Sequence, residues 1–305
     1  EHRRTWWAIR SHRYQVVVGP RSALFAPVGN LGLIVVDEEH EWTYKQQEIE
    51  PRYHARTVAL YLAQLTMAVV VLGSATPDVV TYHRAISGRR LGLFELPQRV
   101  GIEAKPRPLA NVKIVDMRRE LSEGNRSIFS RALQETLLAT IDRGEQAILF
   151  INRRGTAGVV QCRDCGHALR CHGCDTPLTY HAISERLLCH QCNRNTGIPE
   201  RCPNCRSRRI RYLGVGTQRV VTDLQQLVPG VSVLRWDRDA VSSPPDAEPL
   251  LERFVRGKAQ VLVGTQMVAK GLDFPRVTLV GIISADTALH LPDFRASERT
   301  FQLLA

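Results

Sequence analysis

All eight cysteines of this 305-residue chain lie between residues 162 and 205, where they form four Cys-x-x-Cys pairs. A two-residue gap lets both sulfurs of one turn bind the same zinc ion, at about 2.3 Å. The inner two pairs read C-x2-C-x14-C-x2-C, close to zinc-ribbon spacing, which leaves the outer two pairs to each other. The spacing therefore predicts two nested, closed zinc sites. In chain order the pairs are Cys162/Cys165, Cys171/Cys174, Cys189/Cys192 and Cys202/Cys205.

The alternative interpretation of these cysteines is a disulfide framework. Disulfides are typical of small secreted domains. This chain has no cysteine outside the block, and its start lacks a signal-peptide pattern. Zinc is therefore favoured, as two structural ions rather than a catalytic one.

The composition is ordinary for a globular protein of about two domains, with 44% hydrophobic and 23% charged residues. No apolar run approaches the roughly 18 residues of a membrane span, so we expect no membrane partner. The first residue is not Met, and the chain stops inside a helical pattern. Both ends are therefore expected to be cut, which makes the chain a central fragment.

The charge of the chain suggests a polyanionic partner, usually nucleic acid. The formal net charge is +11 and the isoelectric point is about 9.6. The alternative is a generally arginine-rich composition, because lysines are far fewer than arginines. Around the cysteines the excess of arginine is partly offset, since each Zn(Cys)4 centre adds about two negative charges.

Short apolar runs that end in polar or glycine-containing clusters alternate with helical patterns at 53–64 and 131–141. This alternation predicts an α/β fold of two doubly wound, parallel-sheet lobes, with ligands at the carboxyl ends of the strands. The predicted domains are residues 1–96, a linker at 97–111, a second lobe at 112–160 and 207–305, and the Cys-rich insertion at 161–206. The predicted strands are Gln15–Val18, Leu33–Val36, Ala68–Leu72, Ala147–Ile151, Val231–Leu234, Gln260–Val263 and Val277–Ile283.

Two strand ends in the first lobe carry candidate catalytic residues. Asp37 and Glu38 follow the strand Leu33–Val36. In a nucleotide-hydrolysing α/β domain, such an Asp holds Mg²⁺ and the next carboxylate orients the attacking water. The alternative for each segment alone is a solvated or capped turn. The segment Gly73-Ser74-Ala75-Thr76-Pro77 follows the next strand, and its hydroxyl groups beside an acidic cluster favour a site that couples hydrolysis to movement.

The stretch from Trp42 to Arg56 is rich in aromatic and basic residues. Aromatic faces stack bases and cations hold phosphates, so the stretch resembles a platform for single-stranded nucleic acid. Local core is the alternative, although this composition is poor for a core. In the second lobe, the segments Gly264–Pro275 and Asn152–Gly155 follow strands, and their Thr, Lys and Arg side chains suit phosphate contact.

The order of these motifs resembles the PriA family of bacterial replication-restart DNA helicases, which belong to superfamily 2. The resemblance covers nearly the whole chain, and the cysteine block inside the second lobe is its most specific part. The motifs that carry it, besides the eight cysteines, are GPRSALFAP (19–27), DEEHEWTYKQQ (37–47), RYHAR (52–56), GSATP (73–77), ILFINRRG (148–155), GVGTQ (214–218), GTQMVAKGLDFP (264–275) and PDFRASERTFQLL (292–304).

The resemblance implies two RecA-like lobes and an ATP-dependent helicase of 3′-to-5′ polarity that acts at stalled forks. It implies Zn²⁺, Mg²⁺ and ATP as cofactors, the same nested cysteine pairing, a monomer, and a cytoplasmic, nucleoid-associated location. The implied partners are forked DNA and single-strand/duplex junctions, primosome proteins, the replicative helicase loader and single-strand-binding protein. Asp37 and Glu38 are the implied catalytic residues. The implied nucleotide and coupling residues are His40, Ser74, Thr76, Gly264, Thr265, Lys270 and Gly271. The implied DNA-binding residues are Arg21, Trp42, Tyr44, Lys45, Gln46, Arg52, Tyr53, Arg56, Asn152 and Arg153.

The chain departs from the family pattern in ways that bear on activity. It contains no G-x-x-x-x-G-K-[ST] phosphate loop, and the arginine-bearing motif expected after the QLL segment is missing. An arginine finger alone is worth roughly 10³–10⁵ in rate, so we expect the isolated chain not to hydrolyse ATP. Smaller departures are Pro20, where the family usually has Thr, and Gln218-Arg219, where an acidic residue is common. The competing functions are a non-catalytic, zinc-bearing fork-binding or loading scaffold, and a plain zinc-ribbon nucleic-acid binder.

Overall fold

The fold was analysed in a computed structural model, which describes residues 2–88, 91–98, 110–151, 158–181, 186–213, 216–237, 240–241, 244–265, 274–291 and 293–305. The chain divides into two compact units, Glu1–Arg107 with Leu304–Ala305, and Pro108–Leu303. The predicted linker, residues 97–111, lies largely outside the described residues. In the part of the chain that is described, no helix is long and apolar enough to cross a membrane.

The first unit is built on two parallel strands, β1 and β2, which pair from Leu33↔Val69 to Val36↔Leu72. Ala59 and Ala63 of helix α2 pack on one face of this pair, against Ile34 and Val36. Small side chains spaced by four residues let the helix approach the sheet closely. The elements are α1 (His2–Arg10), β1 (Leu33–Val36), α2 (Ala55–Thr66), β2 (Val69–Leu72) and α3 (Val79–Ile86), with 3₁₀ turns at Arg21–Phe25 and Trp42–Tyr44.

One strand prediction in this unit is wrong. Residues Gln15–Val18 form no strand and pair with no other strand among the described residues. Val16 is 77% exposed and Val18 is 93% exposed. An apolar run becomes a strand only where a neighbouring strand satisfies its backbone groups, and none lies beside this one in the described part of the unit.

The second unit contains a four-stranded parallel sheet in the order β11-β3-β10-β9. Both faces of the sheet are covered, as expected for parallel strands. Gly281 of the sheet is so tightly packed that an added Cβ would be 2.9 Å from Leu133 of helix α5 and 2.8 Å from Leu149 of the neighbouring strand β3. The elements are α4 (Met117–Ser122), α5 (Arg131–Asp142), β3 (Gln146–Ile151), α6 (Thr217–Leu227), β9 (Val233–Trp236), α7 (Pro244–Val255), β10 (Val261–Gly264), β11 (Val277–Ile283), α8 (Asp286–Leu289) and α9 (Ala296–Leu304).

The Cys-rich block interrupts this unit between β3 and α6, as a separate antiparallel sheet in the order β7-β6-β5-β4-β8. Its strands are β4 (Gly158–Cys162), β5 (Thr179–His181), β6 (Arg186–Leu188), β7 (Asn195–Thr196) and β8 (Ile210–Leu213). Two cysteines belong to its small apolar core, beside Val160 and Leu187. The predicted fold class, α/β units with parallel sheets and an inserted Cys-rich region, is confirmed.

Candidate metal centres and acid cluster

The eight cysteines converge in two groups of four. One group is Cys162, Cys165, Cys202 and Cys205, and the other is Cys171, Cys174, Cys189 and Cys192. Within each group all sulfurs lie within 4.8 Å of one another. Between the pairs, Sγ–Sγ distances run from 3.3 to 3.7 Å.

These distances fit a metal ion and not a disulfide. Four sulfurs at about 2.3 Å from one tetrahedral zinc ion lie about 3.8 Å apart, whereas a disulfide requires about 2.05 Å. The two groups are the nested sets that the spacing predicts. The donor set, four thiols in each group, fits structural Zn²⁺ with no position left open for substrate.

All four Cys-x-x-Cys turns share one backbone design. In each, the residue after the second cysteine has a positive φ, and its N–H donates to the carbonyl of the first cysteine, at 2.8–2.9 Å. The N–H of the first cysteine donates to the carbonyl of the residue that follows the positive-φ residue, at 2.8–3.0 Å. The positive-φ residues are Gly166 (75°), Asp175 (53°), Asn193 (57°) and Arg206 (61°). This repeat was not detected in the sequence, although Gly, Asp and Asn are the residues that tolerate this conformation.

Backbone N–H groups also stabilise negative charge on the sulfurs. The N–H of Cys192 donates to Cys189 and lowers the pKa of that thiol to about 6, against the opposing effect of burial. The N–H of Gly173 donates to Cys171 at 3.4 Å and lowers its pKa below the ordinary thiol value. Since metal-bound cysteine is a thiolate, these donors orient the ligands for a cation.

The segment Asp37-Glu38-Glu39-His40, called the acid cluster below, follows β1 and lies where the carboxyl ends of β1 and β2 meet. The N–H of Gly73 donates to the carbonyl of Val36, and the N–H of Glu39 donates to the carbonyl of Gly73, both at 2.9 Å. The two strand ends are thereby held together. Asp37 and Glu38 are exposed here, and Oδ1 of Asp37 accepts the N–H of Glu38 at 2.9 Å.

A hydrogen bond joins the acid cluster to the GSATP segment. Nδ1 of His40 lies 2.6 Å from Oγ of Ser74 and 3.4 Å from a carboxylate oxygen of Glu38. The hydroxyl of Ser74 also accepts the N–H of Thr76 at 3.0 Å. The structure therefore brings together all five residues that the sequence assigned to catalysis and coupling in this unit.

A buried ion-pair network lies directly beneath this surface, and sequence reasoning missed it. Arg56 forms an ion pair with Glu39, which is 1% exposed, and its second nitrogen lies 3.5 Å from Asp78. Glu39 also accepts the N–H of Asp78 at 2.7 Å, and Asp78 caps α3 through the N–H groups of Val80 and Thr81. The guanidinium of Arg56, predicted to bind DNA, is thus engaged within the protein.

Several other residues of the predicted DNA platform also have partners inside the protein. Arg21 donates to the carbonyl of Thr43 and to the side chain of Gln46. Lys45 donates to the carbonyl of Arg52. These contacts shape the loop rather than leaving every cation free for phosphate.

The aromatic residues of the loop divide into anchors and an exposed face. The hydroxyl of Tyr44 donates to the carbonyl of Asp37 at 2.7 Å, and burial followed by the charges of Asp37 and Glu38 raises the pKa of Tyr44. Tyr53 packs edge-on against Phe25, with ring centroids 5.0 Å apart. Trp42 is 41% exposed. The loop is therefore tied through Tyr44 to the backbone of the acid cluster while Trp42 faces solvent.

In the second unit, Gly264 ends β10 and the N–H of Thr265 donates to the carbonyl of Trp236 at 3.3 Å. The other candidates there, Asn152, Arg153, Lys270 and Gly271, lie outside the described residues. A polar cluster at the end of β9 was missed. Its centre is Asp237, which accepts hydrogen bonds from Thr217, Arg235 and the N–H of Ala240.

Comparison with known proteins agrees with these features. The family model for the PriA DNA helicase Cys-rich region matches residues 171–196. Replication restart protein PriA of Bacillus subtilis is 51% identical over 98% of this chain, and that of Synechocystis is 46% identical over 98%. That of Thermotoga maritima is 36% identical over 98% of the chain. The chain spans 36%, 36% and 39% of the lengths of these relatives. The resemblance that the motifs indicated is thereby confirmed.

Proposed function

We propose that this chain, a stretch of a PriA-type replication restart protein, is the motor segment of an ATP-dependent 3′-to-5′ DNA helicase that acts at stalled forks and in primosome assembly. The observation that supports the proposal best is the contact of His40 with Ser74 beside Asp37 and Glu38. This contact connects the carboxylates Asp37 and Glu38, which suit nucleotide hydrolysis, to the segment after β2, which could move when the nucleotide is hydrolysed.

The carboxylates have the chemistry that ATP hydrolysis needs. Carboxylate oxygens suit Mg²⁺, which when bound would neutralise charge on the phosphates. Asp37 would hold the ion at the strand end, and Glu38 would orient the attacking water and take its proton. The positive φ of Glu38, 46°, turns its side chain out of the strand direction, where it meets His40.

The coupling role rests on two connections. His40 and Ser74 form the first, at the surface. The second is the network of Glu39, Arg56 and Asp78, which joins the acid cluster to the start of α2 and to the cap of α3. Arg56 is therefore proposed as a positioning residue, which holds these elements in one register.

The aromatic loop is the proposed contact with DNA, and Tyr44 is the link from that contact to Asp37. Trp42 offers an exposed face for base stacking. The proposed partners are forked DNA, single-strand-binding protein, primosome proteins and the replicative helicase loader, with the protein acting as a monomer in the cytoplasm, at the nucleoid. The two cysteine groups would hold structural Zn²⁺ and keep the insertion rigid.

The test places this chain in a complete motor. It replaces the matching segment of the Bacillus subtilis relative, and unwinding of a labelled forked duplex is followed with ATP. We expect unwinding by the chimera, and its loss with Asp37→Asn or Glu38→Gln while binding to the fork persists. Unwinding that survives both substitutions would overturn the assignment. The isolated chain, which contains no phosphate-loop motif, is expected not to hydrolyse ATP.

The second candidate is a zinc-bearing scaffold that binds forks without hydrolysis. The two candidates differ in one result. A scaffold would leave the chimera able to bind forked DNA but unable to unwind it, although the parent relative unwinds the same substrate.

A further inference from the structure

Helix α1 carries a basic and aromatic surface that the proposed motor does not use. From His2 to Val36 the sequence contains five arginines and no Asp or Glu. Only Ile9 of the helix is buried among its described side chains. The helix is thus attached to the unit along a narrow line, and most of its surface faces solvent.

The arginines of this helix, and Arg13 just after it, have no acidic partner in the part of the chain that the structure describes. Among the described residues, no ion pair involves Arg3, Arg4, Arg10 or Arg13. This contrasts with Arg56, whose charge is balanced by buried carboxylates. A surface of arginines with no counter-charge is complementary to a polyanion.

The helical spacing places these residues on one face. Arg3 and Arg4 lie four and three positions before Trp7, and Ser11, just after the helix, lies four positions beyond it, so both arginines and Ser11 neighbour Trp7 on the helix surface. With Ala8 and Arg13 they line an open groove. Trp7 is 54% exposed in this groove, and the guanidinium forks can each bind a phosphate through two hydrogen bonds.

A second aromatic residue supports the orientation of the first. Trp6 packs edge-on against Trp7, with ring centroids 5.0 Å apart and an interplanar angle of 85°. The guanidinium of Arg10 lies 5.5 Å from the centre of the Trp6 ring. Arg10 and Trp6 therefore brace Trp7, whose free face remains open for stacking.

From this arrangement we infer that the α1 groove binds single-stranded nucleic acid, with Trp7 stacking on a base and Arg3, Arg4 and Arg13 binding the phosphates on either side. Alternating aromatic faces and cations are the chemistry by which proteins bind single strands without sequence preference. The inference takes its choice of ligand from the proposed function, and it assigns a second contact, separate from the aromatic loop.

The experiment measures binding of the full 305-residue chain to a fluorescein-labelled oligothymidine by anisotropy, at several salt concentrations. Each phosphate contact on a single strand contributes about 0.7 to the slope of log K against log salt. The triple variant Arg3→Gln/Arg4→Gln/Arg13→Gln should therefore lower the slope by about 2. Trp7→Ala should weaken binding about fivefold or more at constant slope, because base stacking on an aromatic residue contributes at least that much.

A matched control removes the same charge elsewhere. Arg84, Arg119 and Arg253 are exposed and form no ion pair among the described residues, and their triple change to Gln should leave the slope within about 0.7 of the wild type. Circular dichroism and thermal melting establish that both triple variants fold alike. Equal loss in the two triple variants would overturn the inference and leave only general charge attraction.

Two further outcomes separate this inference from the proposed function. If the wild-type chain binds oligothymidine and the α1 variants bind equally well, the groove is not a contact, while the helicase proposal is unaffected. If the α1 variants lose binding to phosphatidylserine vesicles but not to oligothymidine, the groove is a lipid-surface site and the inference is wrong. Loss of DNA binding only in the α1 variants, with the chimera inactive in unwinding, would support the groove and contradict the helicase.

Discussion

The Cys-rich insertion and the acid cluster are both held together by polar side chains, but in opposite ways. In the insertion, eight thiols converge on two centres with a small apolar core around them. In the acid cluster, Arg56 forms an ion pair with a buried carboxylate of its own unit. The thiolates of the insertion need a bound metal ion to balance their charge, whereas the buried carboxylate of Glu39 is balanced by the guanidinium of Arg56.

The comparison explains where each region is vulnerable. Four thiolates at 3.3–3.7 Å repel one another unless a metal ion lies between them. The charge of Glu39 is balanced by Arg56 within the protein, so a chelator does not remove its partner. We therefore expect a chelator to destabilise the insertion and to leave the ion pair of Glu39 with Arg56 intact, whereas substitution of Arg56 should destabilise the first unit.

Removal of zinc is expected to have the largest effect. Structural zinc contributes about 10–16 kcal/mol in zinc-finger peptides, so a strong chelator should unfold the insertion while the parallel sheet of the same unit persists. Metal analysis should find about two zinc ions per chain. Hydrogen exchange should show loss of protection confined to residues 158–213.

The pairing itself can be broken one site at a time. Cys165→Ser and Cys174→Ser each remove one ligand from a different group, and each should lower the zinc content from about two to about one. The double variant should bind none. A single variant that loses both ions would contradict two independent sites, and His172→Ala, beside Cys171 but outside both groups, should change nothing.

Substitution of Arg56 is expected to have the next largest effect. Arg56→Met leaves Glu39 buried without its partner, which typically costs about 3–5 kcal/mol in the free energy of unfolding. Urea denaturation followed by tryptophan fluorescence measures this loss. Arg56→Lys keeps the charge but loses the contact with Asp78, so its free energy of unfolding should lie between those of the wild type and Arg56→Met.

The control for Arg56 is a neighbouring arginine in an exposed pair. Arg52 lies 3.2 Å from Glu50, with side chains 61% and 80% exposed. Such a pair contributes at most about 1 kcal/mol, so Arg52→Ala should be nearly neutral. Similar losses for Arg52 and Arg56 would show that burial does not distinguish the two.

The sequence was most informative where chemistry follows directly from spacing. The cysteine pairs predicted the two groups that the fold assembles, and the polar residues after two apolar runs predicted that the two strand ends meet, as the contact of His40 with Ser74 shows. In both cases the backbone fixes the geometry, through a tight turn or through the shared edge of parallel strands. The positions of these residues along the chain were therefore enough to predict which side chains come together.

The sequence was least informative where a side chain had a choice of partners. Arg56 lies in a basic, aromatic stretch that resembles a DNA platform, and only the packing of α2 shows that it meets Glu39. The run Gln15–Val18 has strand composition, but composition does not supply a neighbouring strand. Asp237 follows β9 in a charged segment, and its hydrogen bond from Thr217 joins residues 20 positions apart.

The second unit also contains a carboxylate held by an arginine, Asp237, and the pH dependence of stability tests whether its charge stabilises this unit as that of Glu39 stabilises the first. Burial raises the pKa of Asp237, but hydrogen bonds from Arg235, Thr217 and Ala240 outweigh it and lower the pKa to about 2. A depressed folded-state pKa stabilises the protein above the unfolded value, near 4, and this stability is lost as pH falls from about 4 to 2.

The size of this contribution follows from the shift. Nearly two pKa units correspond to about 2 kcal/mol at neutral pH. Asp237→Asn should therefore lower the free energy of unfolding at pH 7 and reduce its pH dependence between 4 and 2, measured by urea denaturation at each pH. Asp142→Asn on the exposed end of α5 is the control. An unchanged acid profile would show that Asp237 is not held by its charge.

The smallest predicted effect concerns the four cysteine turns, and it asks whether the metal alone determines their stability. Arg206 is the least suited of the four positive-φ residues, because a side chain in this conformation costs about 1–2 kcal/mol. Glycine would remove that cost but lose about 0.5–1 kcal/mol through its greater freedom when unfolded. Arg206→Gly should therefore stabilise the zinc-loaded insertion by up to about 1 kcal/mol, whereas Asn193→Gly should be nearly neutral, since Asn tolerates the conformation. Chelator titration followed by hydrogen exchange measures both. Equal responses of the two variants would show that backbone strain in these turns is negligible beside the metal.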